Sequence, residues 1–146
     1  MLSMEKTRKA ADILWDLWRN RERTNELPPM YRPATRAEGY AIQSLLEERS
    51  ESALFGWKIA ATSSAGQSHI GVGGPLAGRL LREQVYNDGS NISLENTAMR
   101  VVEPEFAFRM DCNLSPREHL YTVKEVIESV HSVHPAIEIP DSRYEN

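Results

Sequence analysis

The residues that most constrain this chain run from Val101 to Met110, VVEPEFAFRM. Val101, Val102, Phe106 and Phe108 bracket its charges with β-branched and aromatic side chains, which predicts a strand. Glu103 and Glu105 stand two residues apart within it. Strand side chains alternate faces, so both carboxylates point the same way, roughly 7 Å apart at the backbone. Two like charges side by side are unfavourable away from water unless a cation neutralises them. The stretch is therefore either a metal site or the wet face of a surface strand. Pro104 lacks an amide hydrogen and implies an edge position or an outward-facing amide.

Composition sets wide limits around this strand. A chain of 146 residues with 40% hydrophobic and 26% charged residues is expected to fold as a globular protein with one modest core. Its net charge of −4 offers no electrostatic footprint for nucleic acid and no basic patch for a membrane surface. No apolar run approaches the length of a membrane span. Charges recur through MLSMEKTRKAADILWDLW, so this stretch does not read as a signal peptide, and a cytoplasmic location is the default expectation. Cys112 is the single cysteine, which excludes an internal disulfide and a thiolate metal cluster; a passive, partly buried side chain is expected there.

Before the central strand, helical periodicity predicts an amphipathic helix from Ser3 to about Thr24, with Ala10, Ile13, Leu14, Leu17 and Trp18 on its apolar stripe. Pro28, Pro29 and Pro33 mark an extended connector. Thr35 and Glu38 have capping-box spacing and open a second helix to about Arg49. LFGWKIAA at 54–61 is a short apolar run that reads as a buried strand with Lys58 in its middle. Such a lysine either snorkels to the edge or answers a buried negative charge.

The Gly- and Ser-rich segment 62–78 predicts a short helix capped by Ser63 or Ser64, then a loop without the spacing of a phosphate-binding fingerprint. Strand or turn is expected over 79–86, and strand over 92–94 and 98–111. Ser115 to Glu118 suits a capped turn. Thr122 and Glu125 repeat the capping-box spacing and predict a helix to about His131 with Val123, Val126, Ile127 and Val130 inward. His131 and His134 would flank its end. Ala136 to Ile139 reads as strand, with Glu138 opposite in direction to both isoleucines.

Glu103, Glu105 and Glu138 thus form a set of three carboxylates on strands. All-oxygen donors favour a hard divalent cation, magnesium or manganese, over zinc or copper.

GWKIAATS at 56–63, GVGGPLAGRLL at 71–81, VVEPEFAF at 101–108 and HPAIEIPDSRY at 134–144 follow one another in the order found in the fumarylacetoacetate hydrolase superfamily. The chain most resembles the 2-keto-4-pentenoate hydratase and 4-oxalocrotonate decarboxylase branch. The resemblance implies an α+β fold, with an N-terminal helical segment over 1–50 and part of a mixed catalytic β-roll over 51–146. It implies that Glu103, Glu105 and Glu138 hold Mg²⁺ or Mn²⁺, and that Lys58 lies beside a small 2-oxo or 2-hydroxydienoic acid substrate. The branch commonly has an aspartate where Glu83 stands, so Glu83 is the corresponding candidate acid–base group, one methylene longer.

The activity implied is hydration of 2-hydroxypenta-2,4-dienoate-type acids in aromatic-compound catabolism, by a homo-oligomer. Members are longer than this chain, about one and a half large domains by the usual size prior. A truncated, catalytically inactive member serving as a metal-binding or assembly module is therefore one alternative. A 2-oxo acid decarboxylase is another.

Overall fold

The computed structural model describes residues 1–95 and 97–145. Helices and antiparallel strands alternate along an α+β chain: α1 (Met4–Asn20), α2 (Arg36–Glu47), β1 (Leu54–Ala60), α3 (Ser64–His69), β2 (Leu76–Leu81), β3 (Glu103–Met110), α4 (Val123–Glu128) and β4 (Val130–Glu138). β1 pairs with β2 and β3 with β4, in two separate antiparallel ladders. The chain divides into two compact units, 1–93 with 143–146, and 94–142.

In the first unit, α1 begins where the Ser3 hydroxyl accepts from the Lys6 amide. It stops at Asn20, short of Thr24, because Arg21 turns left-handed (φ 58°) and its amide closes on the carbonyls of Leu17 and Trp18. Thr24 instead forms a parallel bridge with Tyr144, its amide donating to Arg143 O at 3.0 Å. Ala10 and Ala11 are fully buried and let α1 approach closely; Leu27, Ile42 and Leu45 complete the core. Arg49 ties the helices together through Asp12.

Thr35 caps α2 as expected, accepting from the Glu38 amide at 3.2 Å. The other half of the box is diverted: the Glu38 carboxylate accepts from Ala34 N at 2.7 Å and from Leu2 N. Those backbone donors, Ala34 first, hold its pKa below the ordinary carboxylate value. The sign follows from linkage. A carboxylate with a depressed folded pKa stabilises above its unfolded pKa, and that contribution disappears as pH falls through the folded pKa. Melting curves taken from about pH 5 downward should therefore fall more steeply for the wild type than for Glu38→Gln. Parallel curves would show that Glu38 contributes nothing by its charge.

Side chains of α2 also cover an edge of the first ladder. The Ala77 amide donates to Tyr40 Oη at 3.1 Å, and Gln43 Nε2 donates to Ala77 O at 3.2 Å. Both are groups that an edge strand leaves outside its ladder. Arg79 donates to Glu47 at 2.9 Å and lies 4.8 Å from the centre of the Trp57 ring.

The second unit departs further from the sequence-based expectations. The strand expected from Ala98 starts only at Glu103, because the amides of Ala98 and Met99 are taken by the Asp141 carboxylate at 3.0 and 3.3 Å. Residues 92–94 form no strand; a turn closes there, with Thr97 N donating to Leu94 O. Ser115 to Glu118 forms no helical turn, since Arg117 reaches Glu125 at 2.8 Å and lies over the Tyr121 ring.

The second capping box forms in full. Thr122 Oγ1 accepts from Glu125 N, and the Glu125 carboxylate accepts from Thr122 N. With Arg117 as the larger influence, these contacts lower the Glu125 pKa to about 2. The helix then ends at Glu128, not near His131. β4 begins at Val130 because its register with β3 holds the following residues extended, whatever their local propensity. Both His131 and His134 are therefore strand residues. Val123, Val126 and Ile127 are exposed, not inward, as is Cys112.

Candidate metal centre

The β3–β4 register decides the geometry of the acids. Glu103 pairs with Glu138, Glu105 with Ala136 and Ala107 with His134. Directly opposed residues share a face of the sheet. Alternation places Glu105 on that face too. One carboxylate oxygen from each of Glu103, Glu105 and Glu138 lies within 4.8 Å of the other two. Glu105 and Glu138 are half-buried, and Glu138 Oε2 is shut off from solvent.

Like charges directly opposed across a ladder are destabilising, and burial aggravates the cost. A divalent cation reverses the sign of that interaction. Magnesium holds oxygen ligands at about 2.0–2.1 Å, so donors on opposite sides of the ion are about 4.2 Å apart. Three oxygens within 4.8 Å of one another can close on one such ion by side-chain adjustment. Donor chemistry and spacing both fit Mg²⁺ or Mn²⁺.

The two faces of the hairpin contrast sharply. Pro104, Phe106, Phe108, Val133 and Ile137 occupy the face opposite the acids, where Phe106 is 75% and Ile137 71% exposed. The charged face is thus the more sheltered of the two at Glu105 and Glu138, the reverse of ordinary amphipathic burial.

Lys58 and Glu83 belong to the first unit. Lys58 lies on β1 opposite Gly78, on the half-buried face that also carries Leu54, Gly56 and Ala60. Glu83 follows β2 in a short 3-10 turn, exposed, with the Ser50 hydroxyl 2.7 and 2.9 Å from its two carboxylate oxygens. Ser50 had no signal in the sequence, since its partner is 33 residues away. His69, at the end of α3, is exposed. Ala107, Arg109 and His134 share the face of the acids. For Ala107 and Arg109 the same i+2 count that linked Glu103 to Glu105 would have found them; for His134 only the strand register could.

The whole chain superposes on a solved 4-oxalocrotonate decarboxylase from Pseudomonas putida G7, complexed with magnesium and adipate, with a TM-score of 0.87 and 23% identity; the match covers 56% of that chain. The fold is therefore of the fumarylacetoacetate hydrolase type. In sequence, the chain is 31% identical over 142 residues to the TodF product hydratase of Pseudomonas putida F1, covering 95% of this chain and 52% of that protein. It is 33% identical over 107 residues to a 2-keto-4-pentenoate hydratase of Burkholderia vietnamiensis, covering 71% of this chain and 40% of the relative. A 4-oxalocrotonate decarboxylase of a Pseudomonas species is 34% identical over 93 residues, covering 61% of this chain and 34% of that protein. No family model matches the chain. It is similar in sequence to 2-keto-4-pentenoate hydratases and a 4-oxalocrotonate decarboxylase, and spans about half the length of the curated relatives it matches.

Proposed function

We propose that this chain carries the metal-binding chemistry of a hydro-lyase acting on 2-hydroxypenta-2,4-dienoate-type 2-oxo acids in aromatic-compound catabolism. The observation that carries the reading is the convergence of three strand carboxylates to within 4.8 Å in a chain whose relatives include named hydratases. Glu103, Glu105 and Glu138 hold Mg²⁺ or Mn²⁺. The ion supplies Lewis acidity toward the oxygens of the 2-oxo acid.

The chain's other residues take the remaining tasks. Lys58 offers positive charge to the substrate carboxylate. Glu83, its carboxylate fixed by the Ser50 hydroxyl, moves a proton during tautomerisation and hydration. The working protein on this reading is a cytoplasmic homo-oligomer, which native mass spectrometry can read directly. Among the described residues no helix is long and apolar enough to cross a membrane.

The test is consumption of 2-hydroxypenta-2,4-dienoate by the purified chain with Mg²⁺ or Mn²⁺. Loss of turnover on chelation, and in Glu105→Ala, supports the reading; removal of a metal-binding carboxylate is expected to cost more than the roughly 10–100-fold that follows loss of a group merely supporting a ligand. Metal binding without turnover identifies the chain as an inactive metal-binding module of the family. The decarboxylase relative and fold neighbour favour a second reaction, loss of CO₂ from a 2-oxo diacid, which a carbon dioxide assay distinguishes.

A further inference from the structure

The three carboxylates stand at one end of the β3–β4 ladder. Glu103 and Glu138 form its terminal pair, and both chains run on past it. Ladder ends fray, and this one sets two like charges directly opposite each other, so the pair tends to splay. Just beyond it, Asp141 ties the two chains together. Asp141 Oδ1 accepts from Ala98 N at 3.0 Å and from Met99 N at 3.3 Å. Asp141 follows Glu138 by three residues, and Met99 precedes Glu103 by four. The bracket therefore closes over the end of the ladder that carries the acids.

The backbone between the bracket and the ladder is strained. Arg100 is left-handed (φ 49°), a conformation that a residue with a Cβ avoids unless its surroundings impose it. It turns the chain between Met99, held by Asp141, and Val101, which leads into β3. On the other side of the bracket, Thr97 closes a turn of its own. Its amide and its hydroxyl both donate to Leu94 O, at 3.2 and 3.0 Å. Turn, bracket and left-handed residue together fix the direction in which the chain enters β3 at Glu103.

We infer that Asp141 is a positioning residue for the metal centre. By holding the Ala98 and Met99 amides it imposes the turn at Arg100 and keeps Glu103 against Glu138, so the three donors converge before an ion arrives. Donors arranged in advance lose less freedom on binding. Asp141 acts through Glu103 and is not one of the three converging acids. The inference rests on the metal-site reading above.

Mn²⁺ titration of the full chain followed by electron paramagnetic resonance, beside amide hydrogen exchange of the metal-free protein, tests it. Asp141→Ala should weaken Mn²⁺ binding about 10–100-fold, the usual cost of losing a group that orients a ligand. Asp141→Asn removes the charge and keeps an oxygen acceptor, so its affinity should stay within about threefold of the wild type. The Ala98 and Met99 amides should be protected from exchange in the wild type and lose that protection in Asp141→Ala. Unchanged Mn²⁺ affinity in Asp141→Ala overturns the inference, since a purely structural role lowers stability alone. Equal weakening in the alanine and asparagine variants also overturns it, because Asp141 then acts by its charge. Wild-type amides of Ala98 and Met99 that exchange without protection overturn it with no variant needed. A wild type that binds no Mn²⁺ refutes the metal-site reading, while exchange at Ala98 and Met99 still decides whether the bracket exists.

Discussion

Replacing Glu138 with glutamine is expected to abolish stabilisation by divalent metal while leaving the metal-free protein as stable as the wild type, or more so. A ligand that binds only the folded state contributes about 2.7 kcal/mol at a hundredfold excess over its dissociation constant. For a chain of this size that amounts to a rise in Tm of about 5–10 °C. Glu138→Gln should lose this rise, because one of three converging donors goes and the amide is a weak ligand. Without metal the sign reverses. Glu138 directly faces Glu103 across the ladder, and removing one charge of an opposed pair relieves repulsion. Thermal melts of both proteins, with and without Mg²⁺ and Mn²⁺, give the four measurements needed. Equal destabilisation of the variant in all conditions would mean that Glu138 is structural and that the three acids hold no ion.

The second large effect lies in the first unit. Ile42→Ala should cost about 2–5 kcal/mol, the range for truncating a buried aliphatic side chain. Ile42 is only 3% exposed and packs with Ala10, Ala11, Leu27 and Leu45, a core too small to absorb the resulting cavity. The matched control is Ile137→Ala in the second unit, where the residue is 71% exposed. That change should stay within about 0.5 kcal/mol of the wild type. Urea unfolding of the two variants gives both numbers. A large cost at Ile137 would show that the apolar face of the hairpin is covered in solution, by another copy of the chain or another polypeptide.

These predictions draw unequally on sequence and structure. The caps at Thr35, Ser63 and Thr122 were legible, since each acts through a partner three residues away. Even so, Thr35 and Glu38 have the spacing of a full box, and only the fold sends the Glu38 carboxylate to Leu2 and Ala34. The histidines misled for the same reason in reverse. Local periodicity favours helix as far as His131, but pairing with β3 supplies hydrogen bonds that outweigh it and turns the segment into strand.

The candidate site divides along the same line. The sequence by itself determined that Glu103 and Glu105 share a face, because alternation is a property of one strand. It also carried the family resemblance, through four motifs in order. That Glu138 stands opposite Glu103, that three carboxylate oxygens come within 4.8 Å, and that Arg109 and His134 extend the same face were decided only by the tertiary structure. Register between strands joined through residues 111–129 depends on the turn, the bulge after Arg109 and the helix between them, and no local pattern in either strand encodes it.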